Sequence, residues 1–191
     1  GLADRSAPVL RIDSPDGKLL AVLFGAACHN TTLGGNDYFV SADYAGYAQE
    51  LIQAKHSGVQ AMFMMGCGGS ADPFPRGTTE ISRLHGTELG NEICRVLETK
   101  LQPVRGPLKV AFDRVDLPLA EPRSRQRLEQ LATARSGWEP WYAKEALARL
   151  DAGKELPRHY RCPLSVWQFG SDLTLVGLSG EVVGEYVPLI Q

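Results

Sequence analysis

Apolar positions change their spacing several times along the chain, and each change predicts an element. Val9-Leu10-Arg11-Ile12-Asp13 alternates apolar and polar, as a half-buried strand does. Ser14-Pro15-Asp16-Gly17 is a turn, because Pro15 presets its φ and Gly17 suits the fourth position. Lys18 to Ala27 is almost continuously apolar, the pattern of a central strand. A hairpin is therefore expected, running out at Cys28-His29-Asn30. The spacing then becomes helical. Tyr44, Tyr47, Ala48, Leu51 and Ile52 share one face, Ser41 can cap the helix with Asp43 in its first turn, and Gly58 ends it. Val59 to Met65 reads as a second buried strand. Strand, helix and strand with short connections predict a parallel pair whose strands end at the same sheet edge.

A longer helix is predicted from Thr79 to Lys100, with Ile81, Leu84, Leu89, Ile93, Val96 and Leu97 on its apolar face. Ser82, Gly86 and Gly90 form a ridge of small residues four apart. Each glycine costs a helix about 1 kcal/mol relative to Ala, so close packing on the sheet is expected there. Leu108 to Leu117 alternates as a strand, placed at an edge by Pro107 and Pro118. Ser124 to Ser136 and Trp138 to Ala152 read as two helices divided by Gly137, a helical excursion over 119–160 with mixed charge. Trp138, Trp141 and Tyr142 either anchor this excursion or form an aromatic wall for a substrate. Leu164–Phe169 and Leu173–Leu178 flank Gly170-Ser171-Asp172 as a hairpin. A short helix is expected from Glu181 to Tyr186, interrupted by Pro188. The fold class expected is α/β: a layered domain with a mixed β-sheet and flanking helices. It is either one domain over 1–191 or the central part of a larger one.

Composition acts mainly by exclusion. With 43% hydrophobic and 22% charged residues, the chain is not disordered. A net charge of −2 offers no electrostatic reason to expect nucleic acid or an acidic membrane surface as a partner. No apolar run approaches the roughly 20 residues of a membrane span. Gly1 opens the chain without an initiator Met or a signal peptide, which reads as a processed chain or a fragment. Cys28, Cys67, Cys94 and Cys162 match no zinc-knuckle or CxxC spacing and read as free thiols.

Three strand ends carry chemistry and are expected to converge on one cleft. At the first, His29 is a metal ligand, a general base or a structural histidine. At the second, Gly66-Cys67-Gly68-Gly69-Ser70-Ala71-Asp72-Pro73 is a glycine-rich loop suited to presenting N–H groups to an oxyanion, or a tight turn. Positive φ is expected at Gly68 or Gly69. The loop lacks the GK[ST] of a Walker A motif, and Asp72 stands where a GxSxG elbow needs glycine. At the third, Glu181 is either a metal carboxylate or a first-turn helix residue. Among the other histidines, His85 reads as packing or a hydrogen bond. His56 lies at a helix C-terminus and His159 in a basic loop.

Phe24-Gly25-Ala26-Ala27-Cys28-His29-Asn30-Thr31-Thr32 followed by Val40-Ser41-Ala42-Asp43-Tyr44-Ala45-Gly46-Tyr47-Ala48 resembles the neutral/alkaline non-lysosomal ceramidase family, and its bacterial ceramidase-like members most closely. The likeness continues through Met64 to Pro73 and resumes from Trp167 to Glu185. In that family a zinc ion activates hydrolysis of an amide. The resemblance implies that His29 and Glu181 are zinc ligands, with a first zinc histidine upstream of this segment and a tyrosine ligand downstream. Proven ceramidases carry a serine before the proline of the glycine-rich loop, and here that position is Asp72. Asp72 would hold zinc-bound water or act as its base, and Ser70 is the alternative catalytic group. Gly68, Gly69 and Asn30 are the groups expected at the substrate and the oxyanion.

The expected function is zinc-dependent hydrolysis of an amide or related bond in a small-molecule or lipid-like substrate. By resemblance the protein is secreted or periplasmic. A catalytically inactive binding or scaffold domain is one alternative, and a metal-independent serine hydrolase using Ser70 is another. Two supplied ligands predict that this chain alone holds zinc weakly or not at all. Self-association, or packing against further segments of the same protein, is also expected.

Overall fold

The computed structural model describes residues 3–35 and 38–190. β1 (Val9–Asp13) and β2 (Leu19–Ala26) form an antiparallel hairpin, with Val9 opposite Phe24 and Ile12 opposite Ala21. Its turn is closed by the Gly17 N–H on the Ser14 carbonyl at 2.9 Å. β3 (Gln60–Met65) lies parallel to β2, with Ala21 opposite Gln60 and Ala26 opposite Met65. The sheet β1-β2-β3 is therefore mixed, and β2 is its central strand. That position explains the unbroken apolar run, since Val22 and Phe24 are fully buried.

α1 (Asp43–Lys55) makes the crossover from β2 to β3. It begins two residues after Ser41, whose hydroxyl oxygen accepts the Asp43 N–H at 3.0 Å. Ala48 and Ile52 are buried with Val22, Phe24, Val59 and Ala61, while Phe63 meets Phe24 and Tyr44 edge-on at 5.5 and 6.0 Å. The Gln49 amide crosses to the Ala61 carbonyl at 2.9 Å.

α2 (Thr79–Leu97) is capped by the Thr78 hydroxyl, which accepts from the Ile81 N–H. Its buried stripe matches the large apolar residues only in part. Leu84 is 52% exposed, while Ser82, Gly86 and Gly90 are buried with Ile93, Cys94 and Leu97. The small ridge packs on α1 rather than on the sheet. A Cβ on Gly86 would overlap the Tyr44 carbonyl and come within 2.5 Å of Tyr47 Cβ, and one on Gly90 would lie 3.1 Å from the Ala48 carbonyl. The absent side chains are what allow the two helix backbones to approach.

The chain divides into two compact units: Gly1–Pro103 with Gly180–Gln191, and Val104–Ser179. The second holds an antiparallel sheet of β4 (Leu108–Pro118), β5 (His159–Phe169) and β6 (Leu173–Leu178), in that order. β5 begins five residues earlier than the hairpin pattern suggests. His159, expected in a loop, pairs with Pro118. Pro163 lies just before Leu164, the first β5 residue paired with β6, so β5 has a neighbour on one side only where its N–H is missing.

Between β4 and β5, α3 (Arg125–Ala132) and α4 (Glu139–Asp151) pack through Leu128, Leu131, Ala143 and Ala146. Trp138 and Trp141 are 65% and 69% exposed and help line an open groove of about 730 Å³ within this unit. In the first unit, the helix expected from Glu181 is instead a 3₁₀ turn at Gly184–Tyr186 followed by α5 (Val187–Ile190). Pro188 does not interrupt α5, because a first helical turn needs no N–H at that position.

Candidate functional site

Residues 66–77 follow β3 and touch both of the other segments that carry candidate chemistry. The Gly66 N–H continues the ladder to the Ala26 carbonyl at 3.0 Å. Further on, the His29 N–H donates to the Ala71 carbonyl at 2.9 Å and the Gly77 N–H to the Thr32 carbonyl at 2.7 Å. On the other flank the Gly69 N–H donates to the Val182 carbonyl at 2.8 Å. The Gly184 N–H donates to Ser70 Oγ at 3.3 Å. One loop thus ties the His29 segment to the segment that carries Glu181.

The glycines in this loop serve close approach. A Cβ on Gly68 would lie 2.6 Å from the Cys28 nitrogen, and one on Gly69 would overlap the Glu181 carbonyl. Neither has positive φ, contrary to expectation; the turn requirement is replaced by a packing requirement. Their N–H groups donate to the Gly66 and Val182 carbonyls. His29 is half-buried, while Asn30, Ser70, Asp72 and Glu181 are exposed. Thr31 Oγ1 donates to Asp72 Oδ1 at 3.0 Å, and the Arg76 guanidinium lies 3.6 Å from the same oxygen. His85 Nε2 donates to the Pro75 carbonyl at 2.8 Å, so this histidine fastens the far end of the loop to α2.

Four groups that sequence reasoning did not place in the site, Asp43, Thr32, Tyr44 and Cys28, adjoin the His29 segment. Asp43, 5% exposed, accepts from the Leu33 N–H at 2.9 Å, the Tyr44 N–H at 2.6 Å and Ser82 Oγ at 3.1 Å. Burial pushes its pKa up, but the Leu33 amide, the Thr32 hydroxyl, the Tyr44 amide and the Ser82 hydroxyl together hold it below the ordinary value. Thr32 Oγ1 is buried and, among the described residues, has no hydrogen-bond partner at normal geometry. Asp43 also has a φ of +52°, a conformation that costs a non-glycine residue about 1–3 kcal/mol and persists only where the surroundings enforce it. The Tyr44 hydroxyl donates to the Cys28 carbonyl at 2.6 Å, and burial first, then Cys28 and Asp43, raise its pKa so that it stays protonated. Burial, then the Asp72 and Asp43 carboxylates, push the Cys28 thiol up as well, which makes it a poor thiolate. The signal for Asp43 in the sequence was its place at a helix start, which pointed only to the helix dipole.

His29 and Glu181 are of suitable chemistry for zinc, but among the described residues no three His, Cys, Asp or Glu side chains gather into a group that could hold a metal ion. The described residues therefore do not complete a three-ligand zinc site. All four cysteines are free.

A mixed sheet whose parallel strand ends open into two hydrogen-bonded loops defines a class, that of α/β folds. Within it, the chain has a ceramidase-like fold. It is similar to the crystal structure of neutral ceramidase from Pseudomonas aeruginosa, with a TM-score of 0.60 and 19% identity over 88% of this chain and 33% of that one. It is also similar to a ceramidase complexed with C2, with a TM-score of 0.63 and 18% identity over 92% of this chain and 36% of the other. The chain thus spans about a third of the length of these structures. No protein-family model matches it, and no curated protein matches it in sequence.

Proposed function

We propose that this chain forms part of a zinc-dependent hydrolase that cleaves an amide or related bond in a small-molecule or lipid-like substrate. The observation that carries the reading is the loop 66–77, hydrogen-bonded on one flank to the His29 segment and on the other to residues 182–184, within a ceramidase-like fold. His29 and Glu181 are the zinc ligands this chain contributes. When bound, zinc supplies Lewis-acid polarisation of the substrate carbonyl.

In this reading Asp72 is the base. Thr31 and Arg76 engage its Oδ1, which leaves Oδ2 to take a proton from the attacking water. The water oxygen bonds to the carbonyl carbon, the C–N bond breaks, and Asp72 returns the proton to the departing amine. Asn30 is the side chain assigned to the substrate oxygen, because the Gly68 and Gly69 N–H groups already donate to carbonyls. The site of action is outside the cytoplasm, as family resemblance suggests.

The test is release of amine from an N-acyl substrate with zinc supplied, using the full-length protein. Turnover should fall at least about 100-fold in Asp72→Ala, as loss of a general base does. Full turnover in Asp72→Ala that is abolished in Ser70→Ala would transfer the role to Ser70. Absence of turnover in the unaltered protein would favour the non-catalytic binding domain, a reading supported by Asp72 standing where proven ceramidases have a serine.

A further inference from the structure

We propose that Asp43 and Tyr44 are the positioning residues of His29, clamping the segment that carries it from both sides. The Tyr44 hydroxyl holds the carbonyl of Cys28, immediately before His29. The Asp43 carboxylate holds the N–H of Leu33, four residues after His29. Both come from consecutive residues at the start of α1, and Asp43 is fixed in turn by Ser82 of α2. With the His29 N–H on the Ala71 carbonyl, the segment is held at three points.

This is not the ordinary work of a helix start. A capping side chain accepts from N–H groups within its own first turn. Oδ2 of Asp43 accepts from a residue ten positions earlier in the chain, and Oδ1 accepts from a second helix as well as from Tyr44. The Tyr44 hydroxyl contributes nothing to α1. Its aromatic ring packs edge-on against Phe63 of β3, so the hydroxyl is aimed from a rigid base. The positive φ of Asp43 has the same explanation, since the loop contact and the α2 contact together over-determine that residue. A histidine on a loop is placed only as well as its loop is, and angular error in a catalytic or ligating imidazole is costly.

The proposal rests on His29 being the functional histidine, but its test reads His29 directly and needs neither substrate nor zinc. Imidazole nitrogen resonances of His29, His56, His85 and His159 are recorded on the 191-residue chain, with Tyr44→Phe and Asp43→Asn compared with the unaltered protein. Far-UV circular dichroism and a cooperative melt establish that each variant is folded. Tyr44→Phe should shift the His29 signals beyond the linewidth and leave His56 and His159 in place. Asp43→Asn should do the same and also remove the protection of the Leu33 amide against solvent exchange. Asp43→Glu, which keeps the carboxylate, should return His29 part of the way. His29 signals that superimpose on those of the unaltered protein in either folded variant overturn the proposal. If Asp43→Asn does not fold, Tyr44→Phe, which removes a single hydroxyl, decides alone. Failure of the hydrolase reading would show as absent turnover while the His29 shifts in the two variants persist, so the two outcomes are separable.

Discussion

Asp43 concentrates more of the local order than any residue of the predicted chemistry does. Its carboxylate serves three donors from three parts of the first unit, and an amide side chain has one acceptor oxygen where the carboxylate has two. Asp43→Asn should therefore cost about 2 kcal/mol of stability, measured by urea unfolding, the usual value of a hydrogen bond to a charged group. The pH dependence has a definite sign. The folded pKa lies below the ordinary 3.8, so the contribution is complete above that value and is lost as pH falls through the lowered one. Melts recorded downward from pH ~5 should show a drop in Tm that is smaller in Asp43→Asn. A steeper drop in the variant would count against the assignment. Residue chemistry was legible in part. His85 does make the hydrogen bond expected of it, and Gly68 and Gly69 are required, though for close approach rather than for positive φ.

Among the elements, α1 and α2 show where periodicity succeeds and where it stops. Helical spacing placed both helices to within a few residues. It was right for Ile93 and Leu97, which are buried, and wrong for Leu84, which is exposed, because Leu84 outweighs Gly86 in any hydrophobic pattern. Burial is decided by how near α1 comes, and Gly86 lies directly against the Tyr44 carbonyl and Tyr47. Gly86→Ala should therefore destabilise the chain by about 1–3 kcal/mol despite the better helix propensity of Ala. Leu84→Ala should cost no more than about 0.5 kcal/mol, as an exposed position does. Denaturant midpoints of the two variants check this, and the reverse order would contradict the packing. β5 shows the same limit in a sheet. His159 reads as part of a basic loop, yet eleven consecutive pairings with β4 carry the strand back to it.

For the molecule as a whole, exposed apolar surface and an incomplete metal set lead to two further expectations. β4 is an edge of its sheet among the described residues, and Leu108, Val110 and Phe112 are each more than half exposed. Such an edge is prone to pair with a second copy. Antiparallel pairing centred on Ala111 sets Lys109 against Asp113 and Val110 against Phe112, a self-complementary register. Sedimentation velocity should show a concentration-dependent dimer that Phe112→Lys disperses; a monomer at all concentrations would argue against it. The described donors do not complete a zinc site, so calorimetric titration of this chain with zinc should show no tight stoichiometric binding. Submicromolar binding lost in His29→Ala would reveal a ligand within these residues that the described geometry does not bring together.

Most of the elements and the parallel β2–β3 pair were readable from sequence, because spacing, turn chemistry and glycine placement act over a few neighbouring positions. The division into two sheets, the packing of the small-residue ridge of α2 on α1 rather than on the sheet, and the role of Asp43 were not. Each depends on groups far apart in the chain meeting at close range: Leu33 reaches Asp43 from ten residues away and Ser82 from thirty-nine. A carboxylate at a helix start looks alike in sequence whether it faces water or a buried loop amide, and only the packing of α1, α2 and the His29 segment distinguishes the two.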